Sequence, residues 1–362
     1  MQIREFGRTG DETIAEIELG NAAGAVAKII THGAVLRDLV VPKPGGGTQR
    51  VVLGLETLED YRNHSPHFGA IAGRYANRIG QGRFLLDGRA YQLPLNQENR
   101  HSLHGGGHGF GKRAWTLLHA EPGAATLGLV SPDGDANYPG TLAVTCRYLL
   151  GTLPAIDAAQ NPEAPPRSVL RVELSAFTDA PTIVNLCHHS YFNLDGGPDI
   201  LDHDLMLRAP MMTPVDSDLI PDGAIAPVAG TPFDFRRPRP IRHLDEDGTR
   251  FWYDHNFVLR REKREPPLHG VELAHAATLA SARSGLTMEV WTTEPCLQFY
   301  DGFKLNLPVS GLDGTHYGPN AGLCLEPQHA PDSPNHAHFP TTVLRPGELY
   351  RQVTEFRFGP AA

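Results

Sequence analysis

Histidines and carboxylates gather in three short stretches of this 362-residue chain. The first, NRHSLHGGGHGFGKRAW, holds His101, His104 and His108; the second, NLCHHSYFNLDG, holds His188 and His189. The third, CLEPQHAPDSPNHAHFP, holds Glu326, His329, His336 and His338. Imidazole is the side chain whose ordinary pKa lies closest to neutrality, so an imidazole beside a carboxylate can hand a proton either way. Each histidine taken singly also has a plainer role, as a surface or capping residue. Their clustering at the ends of strand-like runs predicts a polar pocket.

Other chemistries fit these residues less well. His336 and His338 share one side of an extended segment, and His329 or His189 could complete a three-nitrogen zinc site. Pro331 and Pro334 surround that pair, and no close-spaced cysteine or His-Glu-X-X-His pattern supports it. A nucleophilic triad lacks a Gly-X-Ser-X-Gly elbow, and Ser190, adjacent to His189, points to the opposite face of a strand. Gly105–Gly111 lacks the Lys-Ser/Thr ending of a phosphate loop, which leaves it as a turn beside a ligand pocket. No metal and no cofactor are expected.

The elements that must carry these residues read as strands. In VLRVEL, Val172 and Leu174 alternate with Arg171 and Glu173; Leu286, Met288 and Val290 alternate with Thr287, Glu289 and Trp291. RFLLDGRAYQL predicts a hairpin turning on Asp87-Gly88. Thr141–Leu150 and Thr182–Leu194 are further β-branched and aromatic runs. Thr57–Asn63 is the best short helix, and no 15-residue window carries a sustained helical period. The expectation is one all-β domain over residues 1–362, a large antiparallel β-sandwich. A Pro-rich loop insertion interrupts it at about 152–167, TLPAIDAAQNPEAPPR.

Composition narrows the partners. A formal net charge of −9 without basic clusters argues against nucleic acid. Nothing approaches the roughly 18 apolar residues of a membrane span. Cys146, Cys187, Cys296 and Cys324 are scattered, which fits a reducing cytoplasm, although a processed secreted chain stays open. A monomer or a homodimer is expected.

Six blocks then carry a specific resemblance: AGRYANRIGQGRF, SLHGGGHGFGKRAW, HHSYFNLDG, YDHNFVL, TTEPCLQFYDG and GLCLEPQHAPDSPN. In this order and spacing they resemble the aldose 1-epimerases, or galactose mutarotases, across most of the chain. The resemblance implies the galactose mutarotase-like supersandwich with an open sugar cleft. It implies His189 as general acid at the ring oxygen and Glu326 as general base at the C1 hydroxyl. It implies Asn77, Arg78, His104, Asp254 and Gln298 as substrate-binding residues. The reaction would interconvert the α and β anomers of a free aldose such as D-galactose or D-glucose. His188 stands where the family often has Asn, and Cys296 where glycine is common. Strand alternation lets only one of His188 and His189 face the sugar, and the following SYFNL favours His189.

Three rivals remain. A glycoside hydrolase would need two carboxylates across the scissile bond, for which Glu326 and Asp254 are available. A hexose-6-phosphate epimerase would add a basic phosphate site. A non-catalytic sugar-binding or regulatory module would be expected to lack the acid or the base, and both are present.

Overall fold

Alternation of apolar and polar residues translates directly into sheets. A computed structural model of the chain describes residues 1–155, 166–260, 264–265 and 271–360. Among them the strands form a five-stranded, a six-stranded and a ten-stranded sheet, with short two-stranded ladders between. One hydrophobic core draws on all three. Leu170, Val172 and Leu174 come from the ten-stranded sheet, Phe257, Leu297 and Phe299 from the six-stranded, and Ile17, Leu19 and Leu39 from the five-stranded. Burying each such side chain stabilises the fold by about 1.5–3 kcal/mol. The architecture is the expected all-β antiparallel sandwich.

Local expectations resolve one by one. Arg83–Leu86 and Arg89–Gln92 pair across Asp87-Gly88. Both turn residues hold positive φ, 49° and 80°, the geometry of the tight hairpin turn. The short helix is Leu58–His64, and Thr57 caps it by accepting the Asp60 backbone N–H at 3.1 Å. The run Thr182–Leu194 does not make one strand. It breaks into Thr182–Ile183, Cys187–His189 and Tyr191–Phe192, each paired with a different partner. The chain crosses between sheets here, and each crossing re-aims the side chains.

Leu142–Leu153 and Arg167–Thr178 pair without slippage from Leu142↔Thr178 to Leu153↔Arg167. The ends of the Pro-rich stretch therefore lie in strand, while its middle, 156–165, falls outside the described residues. No described helix is long and apolar enough to cross a membrane.

Candidate active site

The six-stranded sheet has two unlike faces. Phe257, Leu297, Phe299, Leu323 and Leu325 point into the core, so their strand neighbours point the other way. On that second face the register aligns a polar row, Thr213↔Asn256↔Gln298↔Glu326, across four strands. One step along, Asp254, Tyr300, Cys324 and Tyr191 form a parallel row. Glu326 is 2% exposed.

Opposite this face runs the strand Cys187–His189, held against Ala70–Ala72. Alternation puts Cys187 and His189 on one side and His188 on the other. His189 Nε2 lies 3.6 Å from Glu326 Oε2, and the Cys187 thiol donates to the same oxygen at 3.2 Å. His188 instead packs between Tyr148 and Phe356 and bonds the Ser190 hydroxyl at 3.0 Å. Cys296 is buried beside Ala330 and Phe339.

The Asn77-Arg78 turn and the Gly-rich loop supply the remaining wall. The Asn77 backbone N–H donates to His104 Nδ1 at 3.2 Å, and the His104 N–H donates to the Asn77 carbonyl at 3.0 Å. With Nδ1 accepting, His104 keeps its proton on Nε2. Gly105 makes this approach possible: its φ is 81°, and a Cβ there would lie 2.0 Å from the Gly73 carbonyl oxygen. Arg78 bonds Gln97 through Nε at 3.0 Å and Asp254 at 3.3 Å. Gln298 donates to the other Asp254 oxygen at 2.7 Å. The His104 and His189 rings meet edge-on at 5.1 Å.

All seven residues singled out from the sequence thus fall in one contact ring. Gln298 touches Asp254, then follow Arg78, Asn77, His104, His189 and Glu326, and the sheet register returns Glu326 to Gln298. On the polar row of the six-stranded sheet, Gln298 Oε1 and Asn256 Oδ1 are buried without a hydrogen-bond partner among the described residues. A buried acceptor left open invites a hydroxyl donor.

Electrostatics follow from depth. Burial raises Glu326 to about 8, against a smaller lowering by the Cys187 hydrogen bond. Burial lowers His189 to about 4 and holds His104 well below its usual range. Between those limits the Glu326–His189 pair carries a single proton. Desolvation places it on the carboxyl, leaving the imidazole neutral.

Sequence reasoning missed three neighbours: Cys187 on Glu326, Cys324 with its sulfur 3.5 Å from His189 Nδ1, and His67 stacked near His189. The two cysteines were findable, because each sits two residues from a singled-out residue on the same strand face. His67 had no such signal. His189, Cys324 and Glu326 offer donor atoms within 4.8 Å of one another, a grouping of metal-ligand type. The zinc trio weighed from the sequence does not assemble. His338 Nε2 bonds the Gly223 carbonyl, His336 faces Asp332, and His329 Nδ1 bonds Glu294.

The chain matches the family described as Aldose 1-epimerase over residues 15–357. It is 41% identical to galactose mutarotase of Rattus norvegicus over 358 residues, covering 95% of this chain and 97% of that one. It is 35% identical to aldose 1-epimerase of Escherichia coli K12 over 350 residues, 94% of each. An aldose epimerase homologue from C. elegans superposes with a TM-score of 0.84 at 29% identity, covering 96% of this chain and 99% of that one. Galactose 1-epimerase from Lactobacillus acidophilus gives 0.78 at 27% identity, covering 100% and 99%. The chain belongs to the aldose 1-epimerase family and is an isomerase that interconverts the anomers of an aldose sugar.

Proposed function

We propose that His189 and Glu326 are the acid–base pair of this mutarotation, acting on a free hexose such as D-galactose or D-glucose. The observation that carries the reading is the pair itself, 3.6 Å apart and part of a contact ring of sugar-matching donors and acceptors. Ring opening needs one proton to leave the C1 hydroxyl and another to reach the ring oxygen. A pair holding one proton does both: Glu326 as carboxylate takes the hydroxyl proton, while His189 as imidazolium supplies the ring oxygen. Rotation about C1–C2 exposes the other aldehyde face, and closure runs the same transfers backwards. The resting form, with the proton on Glu326, is the other tautomer of the same pair. Each group contributes about 10²–10⁴-fold.

Binding would fall to Asn77, Arg78, His104, Asp254 and Gln298, which together offer cationic, neutral and anionic partners for hydroxyls. Asp254 is occupied by Arg78 and Gln298, which suits a hydroxyl acceptor better than the second acid of a glycosidase. The acidic net charge and the four buried free cysteines support action in a reducing cytoplasm on a small sugar, with neither nucleic acid nor membrane as partner.

Polarimetry with pure α-D-galactose tests this directly. The protein is expected to speed equilibration far beyond the buffer rate, and Glu326→Gln and His189→Asn to abolish the acceleration. Full activity in either variant would overturn its assignment.

A further inference from the structure

His67 stacks near His189, and among the described residues no hydrogen bond, ion pair or ring contact links it to Glu326. Its ring lies 5.6 Å from that of His189 and 4.6 Å from that of His104, so three imidazoles form a triangle. The residue is half-buried, and its ring nitrogens have no hydrogen-bond partner among the described residues. Its backbone holds φ 70°, in the left-handed region, as do those of Asn77 at 62° and His104 at 51°. Non-glycine residues kept in that region cluster where side-chain aim matters to function. Gly111 lies beneath the ring, where a Cβ would come 3.8 Å from Nδ1.

Different charged groups act on Glu326 and on His67. Arg78 and Asp254 act on Glu326, whereas His189 and Lys112 act on His67. Burial lowers His67 to about 3, so at neutral pH its ring is uncharged, with one donor and one acceptor nitrogen. That inventory suits an alcohol, which also donates once and accepts.

The chemistry of the sugar says which alcohol. The proposed roles put Glu326 at the C1 hydroxyl and His189 at the ring oxygen. Beyond the ring oxygen, away from C1, stands C5 with its substituent. We propose that His67 binds the exocyclic hydroxymethyl oxygen of an aldohexose and sets a preference for hexoses over pentoses. The inference rests on the acid–base roles proposed for His189 and Glu326.

Three sugars and two variants test it. L-arabinose repeats the ring of D-galactose without the hydroxymethyl group, and D-fucose lacks only its hydroxyl. His67→Phe keeps a ring against His104 and His189 but removes both nitrogens; His67→Asn suits the left-handed backbone and keeps hydrogen-bonding capacity. For His67→Phe, kcat/KM on D-galactose should fall about 10–100-fold, the loss of one hydrogen bond to a polar substrate group. Its values on D-fucose and L-arabinose should stay within about twofold of the parent enzyme, and His67→Asn should recover part of the galactose rate. An equal loss on all three sugars would mean that His67 only packs against His189, and an unchanged galactose rate would remove it from the site. Both outcomes overturn the proposal. Failure of the parent enzyme on every sugar would instead sink the acid–base roles.

Discussion

Two buried polar rows cross the sheets of this protein, and they treat charge in opposite ways. In the ten-stranded sheet, Arg171 and Arg357 grip the two oxygens of Glu355 at 2.8 and 2.9 Å, and Arg171 also bonds Glu173 at 2.6 Å. Arg357 lies over the Trp291 ring at 4.4 Å. In the six-stranded sheet, Glu326 is just as deep, yet it meets a thiol and a neutral imidazole. The nearby charges, Arg78 and Asp254, bond each other. A buried charge fully matched by opposite charges is structure; one left without a match shifts its pKa and becomes chemistry.

The comparison breaks most sharply at the two glutamates. Glu326→Gln should cut kcat by about 10²–10⁴-fold, measured by polarimetry, with the fold retained. Its effect on stability should have a definite pH sign. The folded pKa of Glu326, about 8, lies above its ordinary value of 4.5. Its burial is therefore tolerated at low pH and opposes folding increasingly as pH rises from 4.5 to 8. Thermal melts should show the Gln variant equal to the parent at pH 4.5 and more stable at pH 9. Glu355→Gln should do the reverse, losing about 3–5 kcal/mol in urea unfolding by removing the carboxylate that two buried guanidiniums share. The kcat of its folded fraction should stay within about twofold.

A pH–rate profile sharpens the contrast further. Under the proposed acid–base roles the pair works while it holds one proton, so kcat/KM should be bell-shaped, with limbs near 4 and 8. A profile still rising above pH 9 would contradict a one-proton pair. The smallest effect is expected at His188, which faces the core. His188→Ala should cost about 1–3 kcal/mol through the cavity it leaves, and change kcat in the folded fraction by less than about threefold. A larger rate loss there would mean that the two adjacent histidines divide the work differently.

Much of this is legible in the sequence. The hairpin at Asp87-Gly88, the short helix expected over Thr57–Asn63 and found at Leu58–His64, and the alternation in VLRVEL depend on neighbours within a few residues. The choice of His189 over His188 rested on alternation together with the SYFNL block that follows, and the strand Cys187–His189 puts the two rings on opposite sides. The break of Thr182–Leu194 into three strands was not readable, because it depends on which distant strands are free to pair. His67 went unnoticed for the same reason. It reaches the site through the position of Ala70–Ala72 against His189, a pairing of segments more than a hundred residues apart.

What the sequence by itself determined is the inventory: β-strands by their period, one imidazole and one carboxylate in recognisable blocks, and the polar side chains that the resemblance assigns to hydroxyl binding. Those are local properties, carried by residue type and spacing. Only the tertiary structure decided that Glu326 and His189 are buried side by side, that a thiol touches the carboxylate, and that burial raises one pKa and lowers the other. Desolvation is a property of everything packed around a residue, so the shifted pKa values of the pair exist only once the sheets have closed over it.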